Sequence, residues 1–220
     1  MNSAQEGQKG RRGRSKRHDV LTAATDRFGR DGYEHTKWAD IAADIGVGAT
    51  ALYHYFESKQ HCLYEIMDEA IEDFRSRFAT ITAQERDPVR AFEAVMASCF
   101  SLSDHDVLRN RVLVAEQGRL SSPSSSEREE QARQAARSRM RELEFAWASF
   151  LAGAMRDGAI PETDPRLLTR AVLGLYNSIW HWYRPNGIIA LPRVAEYYTE
   201  LALLMIGLPP VAPGLERAAA

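Results

Sequence analysis

The sequence predicts an all-α protein of about nine helices. Apolar residues recur at three- and four-residue steps along most of the chain, and no stretch alternates apolar and polar residues as a half-buried strand does. Asp-Pro, Gly and Ser-rich breaks fall between the periodic segments, and no internal repeat is present. In chain order, Leu21, Ala24 and Phe28 share one face of a first helix that ends at Gly32-Tyr33. Thr36 can cap a second helix through its side-chain oxygen, and Trp38, Ile41, Ala42 and Ile45 follow at the spacing of one buried face. Gly46 suits the left-handed position that stops this helix. Val47 can then plug the corner, and Leu52 and Phe56 give a third helix a small apolar seam.

A long helix, roughly Ser58 to Thr80, carries Leu63, Ile66, Met67, Ala70, Ile71, Phe74 and Phe78 as a stripe. Pro88 suits the first turn of the next helix, which runs through Phe92, Val95, Met96, Cys99 and Phe100. Val107 to Leu120 is a further helix, stopped by the Ser/Pro loop at 121–126. Glu127 to Arg156 is charged first and then apolar through Leu143, Phe145, Trp147, Phe150 and Leu151, with Gly158 and Pro161 closing it. Asp164-Pro165 opens a helix that continues to about Tyr183, and Pro192 opens the last, ending near Gly207.

Composition sets bounds. With 220 residues, 45% hydrophobic and 26% charged, the chain can bury a real core and stay in solution. No run approaches the roughly eighteen apolar residues of a membrane span. The basic N-terminus lacks the apolar core of a secretory signal. Cys62 and Cys99 suggest core packing rather than a disulfide framework. An intracellular, cytoplasmic protein with no membrane partner is expected. The net charge of −2 hides an asymmetry. Lys9, Arg11, Arg12, Arg14, Lys16 and Arg17 face only Glu6 in the first seventeen residues, leaving 22 basic against 29 acidic residues in the remainder. Residues 1–16 read as a flexible basic arm. Such an arm can follow phosphates or enter a minor groove, or it can be a solvated tail.

The segment from Thr36 to Lys59 has the physics of two short helices joined by a turn, the second free to enter a DNA groove. Thr36 and Lys37 start the first of them, where backbone N–H groups and a cation can meet a phosphate. Gly48 stands at the N-cap of the reading helix, and Ala49 and Thr50 lie at the end that penetrates a major groove. Thr50 offers a hydroxyl to a base and a methyl to thymine, and Tyr53 and His54 can reach bases or phosphates. Tyr55 and Phe56 turn toward the core. The competing reading is an ordinary pair of packed helices.

Thr36, Ile41-Ala42, Gly46-Val47, Leu52-Tyr53, Tyr55-Phe56 and Ser58-Lys59 resemble the pattern of TetR-type (tetracycline-repressor-type) transcriptional regulators, as do Leu21, Ala24, Phe28 and Gly32-Tyr33 before them. The resemblance is strong over residues 17–65. Ile45 departs from the family's usual Ala. Gly48 departs from its Ser or Thr, a cap weaker by only a few tenths of a kcal/mol, with loss of a hydroxyl contact to phosphate. The resemblance implies that Lys59 contacts a phosphate. It also implies a helix-turn-helix domain over 17–62, a helical ligand-binding and dimerisation domain over 63–210, and a flexible tail over 211–220.

Leu167, Leu168, Ala171, Val172, Leu175, Tyr176, Ile179, Trp180, Trp182 and Tyr183 are apolar around more than one helix face, so two surfaces need cover. In TetR-type proteins the corresponding helices pair with their symmetry mates. The resemblance therefore implies a homodimer reading a palindromic double-stranded DNA operator; a larger monomeric core is the alternative. Residues 173–187 and 112–120 resemble a subgroup that often answers to acyl-CoA thioesters. Arg109, Arg119, Asn177, Trp180 and Arg184 are the ligand-binding candidates. Trp180 and Asn177 can equally fill the core, and Arg184 can cap a helix end. An uncharged aromatic or drug-like effector is the competing ligand.

An all-α enzyme has little support. His61 and Glu65 lie four apart, but no third metal ligand stands near them in sequence, and no phosphate loop or nucleophile elbow occurs. No metal or cofactor is expected. The expectation is a repressor released from its operator by a small molecule, with the Ser58–Thr80 helix as its lever.

Overall fold

The structure, a computed structural model, describes residues 3–208. Among these there are nine α-helices and no strand: α1 (Ser3–Asp31), α2 (Trp38–Asp44), α3 (Ala49–Leu52), α4 (Lys59–Gln84), α5 (Pro88–Phe100), α6 (Asp104–Glu116), α7 (Glu127–Arg156), α8 (Pro165–Trp182) and α9 (Leu191–Met205). A 3₁₀ turn, Gln117–Ser121, follows α6. The helices form two compact units, Met1–Ala70 with His105–Ser138, and Ile71–Asp104 with Arg139–Ala220. Each unit is built from two separated stretches of chain, whereas a single boundary at 62/63 was expected.

Local chemistry sets most helix ends. Asp87 caps α5 by accepting from the Val89 and Arg90 N–H groups, with Pro88 at the first helical position where no donor is needed. Asp164 does the same for α8, accepting from Arg166 and Leu167 ahead of Pro165. Three boundaries differ from expectation, and the first is the end of α4, which runs past Thr80 to Gln84. α1 extends back to Ser3, so residues 3–16 are helical rather than a flexible arm. α6 stops at Glu116 and tightens into the 3₁₀ turn around Gly118 instead of continuing to Leu120. The expected tail, 211–220, lies outside the described residues.

The first unit buries Val20, Ala24, Ile41, Leu52, Phe56, Leu63 and Met67. α6 belongs to this core because Gly29 lets it in. A Cβ on Gly29 would lie 2.6 Å from the Leu108 Cβ, so only glycine allows the two backbones this close. The second unit is held by rings. Trp147 packs against Phe78 and Phe92 at centroid distances of 4.8 and 6.0 Å. Tyr176 stacks on Phe74 at 5.7 Å, meets Trp180 edge-on at 5.4 Å, and donates its hydroxyl to the Cys99 carbonyl at 3.1 Å. Cys62 and Cys99 are both buried as expected. Burial raises both thiols above their ordinary value, that of Cys99 to about 12, which keeps them protonated and inert.

Candidate nucleic-acid interface

The turn between α2 and α3 is a Schellman closure. Val47 N–H donates to the Ala42 carbonyl and Gly46 N–H to that of Ala43, at 3.0 and 3.1 Å. Gly46 takes the left-handed φ of +66° that this motif requires. Gly48 is the N-cap of α3, contributing only its carbonyl, which accepts from Ala51 at 2.9 Å. Ala49, Thr50, Tyr53 and His54 are all exposed, and Leu52 and Phe56 behind them are fully buried. The outward surface therefore consists of small and hydrogen-bonding groups on a rigid apolar base. α3 itself is a single turn. Tyr53 and His54 lie past its end, where Tyr55 N–H bonds back to Leu52 three residues earlier.

Several expected contacts are redirected. Thr36 does not cap α2. The N-cap is Lys37, without a side-chain bond, and the buried Thr36 hydroxyl donates to the Gly32 carbonyl at 2.8 Å. Lys37 is exposed and remains available to a phosphate. Lys59 turns inward. Its Nζ donates to the carbonyls of Tyr33 and Thr36 at 2.7 and 3.0 Å and sits 4.1 Å from the Tyr33 ring centre. The Tyr33 carbonyl also accepts from Thr36 N–H at 3.3 Å, and the ammonium ties it to the Thr36 carbonyl at the α1–α2 corner. Lys59 thus has an internal role at this corner beside the phosphate contact that the resemblance implies.

Arg119, a ligand-binding candidate, also serves this corner. It lies 4.6 Å from the Tyr33 ring centre and pairs with Glu116 and Glu34. Tyr33 is thus buried beneath two cations. Desolvation pushes its phenol up to about 12, with Arg119 pulling the other way. A bidentate pair from Arg27 to Asp44, at 2.6 and 2.8 Å, ties α1 to the end of α2 and holds the Asp44 carboxyl below its ordinary value. At the start of α4, Ser58 donates to Glu129 and accepts from His61 N–H, while Glu57 accepts from Ser126 and from Glu129 N–H. Glu57 thereby caps the N-terminus of α7, Ser58 caps that of α4, and the Ser58–Glu129 bond ties the two together. No local sequence signal pointed to these ties, since their partners come from distant stretches.

Of the basic arm, Arg17 pairs with Glu65 at 2.9 Å and lies over the Phe56 ring, and exposed Lys16 approaches Asp19 at 3.8 Å. The side chains of Arg11, Arg12 and Arg14 lie outside those described. Among the other ligand candidates, Arg109 pairs with Asp106 at 3.0 Å. Arg184 is exposed and donates to the carbonyls of His181 and Tyr183, capping the end of α8. Trp180 is a core residue, and Asn177 is half-buried on the same helix. Asn177, Trp180 and Arg184 belong to the second unit, and Arg109 and Arg119 to the first. His61 meets Glu65 at 3.4 Å, and no group of three or more potential metal ligands occurs among the described residues.

The sequence matches the family "Bacterial regulatory proteins, tetR family" over residues 20–66, and "Tetracyclin repressor-like, C-terminal domain" over 105–206. KstR2, an HTH-type transcriptional repressor of Mycolicibacterium smegmatis, is 24% identical over 190 residues, 86% of this chain and 89% of its own. PfmR, a TetR family regulator of Thermus thermophilus, shares the fold with a TM-score of 0.71 at 26% identity, over 90% of this chain and 99% of that one. AibR, solved with isovaleryl coenzyme A and operator DNA, gives a TM-score of 0.69 at 21% identity, over 84% and 96% of the two chains. An exposed reading surface at the N-terminus and two matches to successive parts of one family lead to the same conclusion: the chain is a transcriptional regulator of the TetR family.

Proposed function

We propose that the chain is a ligand-responsive repressor that binds a palindromic operator as a homodimer and is released by a small molecule. The exposed row of Ala49, Thr50, Tyr53 and His54 on buried Leu52 and Phe56 carries this reading, because a groove-reading surface needs hydrogen-bonding groups on a fixed base. Dimerisation has its own support. α8 and α9 leave Leu167, Trp182, Tyr197 and Leu204 exposed, an apolar area that a second copy would cover. The domain roles follow: residues 17–62 read DNA and 63–210 sense and dimerise. No described helix is long and apolar enough to cross a membrane.

The effector class divides two ways. An acyl-CoA thioester agrees with the isovaleryl coenzyme A held by AibR. An uncharged aromatic compound agrees with the ring-lined body around Phe74, Phe78 and Trp147. Either must bind one state of the dimer better than the other, and about 1.4 kcal/mol of that difference shifts the balance tenfold. The test is fluorescence anisotropy with DNA from upstream of the protein's own gene, titrated with protein and then with acyl-CoA thioesters, free CoA and uncharged aromatics. Specific binding released by one class supports the reading. Binding that is nonspecific, or insensitive to every compound, overturns ligand-responsive repression at that DNA.

A further inference from the structure

We propose that a groove between α7 and α8, within the second unit, is an anion site for the phosphate-bearing end of a ligand that also carries a planar ring. This deepens the reading of the chain as a ligand-responsive regulator and rests on it. The groove encloses about 270 Å³ and is lined by Arg141, Glu144 and Phe145 from α7 and by Arg166, Thr169 and Arg170 from α8. Three guanidiniums against one carboxylate leave it cationic. None of the three forms an ion pair or side-chain hydrogen bond with any described residue. Arg27, Arg75, Arg119, Arg133 and Arg139 each hold a carboxylate, whereas these three, like Arg86, Arg128, Arg137 and Arg156, are exposed; what distinguishes the three is that they converge on one groove.

The arrangement is set by helix geometry. Arg166 and Arg170 are one turn apart on α8, and Arg141 and Phe145 one turn apart on α7, so each pair projects from a single helix face. Like charges at that spacing repel, and an anion between them removes the repulsion. A guanidinium presents its N–H groups as a planar fork that matches phosphate oxygens two at a time. Thr169 is not part of the donor set, because its hydroxyl is committed to the Pro165 carbonyl at 2.7 Å. Asp164 already occupies the N–H groups at the start of α8, so the helix end is not the anion holder. Phe145 is 73% exposed beside the arginines, a bare ring that a nucleobase would cover by stacking. The volume accommodates a charged headgroup rather than a whole drug-sized molecule.

Calorimetry on the full chain tests this with coenzyme A, ADP and pyrophosphate as probes and phosphate-free pantetheine as the control. The three phosphates are expected to bind and pantetheine not to. Arg141→Gln, Arg166→Gln and Arg170→Gln are each expected to weaken coenzyme A by about tenfold. Lysine at the same positions should retain part of the affinity, and Phe145→Ala should weaken ADP while sparing pyrophosphate. Operator binding without ligand should be unchanged. Absence of phosphate binding to the wild type at about millimolar concentration, or equal affinities in the glutamine variants, overturns the proposal. So does a change of oligomeric state in those variants, which assigns the groove to subunit contact. Operator release by a phosphate-free compound alone would keep the repressor and remove this site. Phosphate binding without operator recognition would do the reverse.

Discussion

The DNA-reading unit and the ring-lined unit solve the same packing problem with different chemistry. In the first, α2 has seven residues and α3 four, too few to bury much apolar surface, and charge completes the structure. Lys59 and Arg119 cover Tyr33, Arg27 grips Asp44, and Glu57 and Ser58 at the start of α4 bond to the first turn of α7. In the second, α8 and α9 have eighteen and fifteen residues, and edge-on and stacked rings around Trp147 and Tyr176 fill the interior. A unit that presents side chains to a partner needs angular precision over a few residues, which directional hydrogen bonds and ion pairs supply. Apolar burial is less directional and suits a body that must adapt to a ligand.

The contrast can be broken at five positions, in falling order of effect. Trp147→Ala should cost about 3–5 kcal/mol in urea unfolding followed by circular dichroism, the usual range for emptying a large aromatic site. Trp147→Phe should cost much less, because the indole N–H finds no acceptor among the described residues. Equal losses would mean that the ring cluster is not what holds this unit. Gly29→Ala should destabilise by about 1–3 kcal/mol through the clash with Leu108, although alanine is favoured over glycine in a free helix by about 1 kcal/mol. Operator affinity should fall with it, and a gain in stability would detach α6 from the reader.

Lys59 and Lys37 sharpen the distinction between holding the reader and touching DNA. Lys59→Met strips a donor from two carbonyls and should cost about 1–3 kcal/mol of stability, with the salt dependence of operator binding unchanged. Lys37→Gln should leave stability within about 0.5 kcal/mol and flatten the log–log salt dependence by about one unit. Exchanged outcomes would assign the phosphate contact to Lys59. The smallest effect is on acid stability. Arg133 holds Glu130 of the first unit, and Arg75 holds Glu72 of the second, each at about 2 against an ordinary 4.5. A carboxylate whose folded pKa is depressed stabilises the fold above its unfolded pKa and loses that contribution as pH falls. Stability should therefore decline from about pH 4.5 toward 2 in an acid titration, and Arg133→Gln should flatten the decline.

Features set by neighbours in sequence were legible and those set by distant partners were not. Gly46-Val47 announces its turn because the closure is made within six residues. Asp87-Pro88 and Asp164-Pro165 announce helix starts for the same reason, and the bounds of α7 coincide with expectation at both ends. Lys59 escaped because its acceptors lie 26 and 23 residues earlier, in a corner whose carbonyls a pattern cannot count. Arg119 escaped similarly, its partner Glu34 standing 85 residues away. One signal was visible and not used: Gly29 sits inside a helical pattern where glycine costs about 1 kcal/mol against alanine, which often marks a close approach. The arginines of the α7–α8 groove were hidden because two helices, not one stretch of sequence, bring them together.

Gly29 also determines what can be transplanted. The surface that accepts Leu108, the corner that takes Arg119 and the Glu57 carboxylate that caps Glu129 all belong to residues 1–70, while their partners belong to 105–138. A chimera that grafts only the first seventy residues onto another sensor would carry the reading helix without its supports. It should fold poorly unless the recipient provides an α6 that fits a glycine and an arginine over Tyr33. The transferable module is discontinuous, and exchange of specificity between relatives requires both stretches to move together.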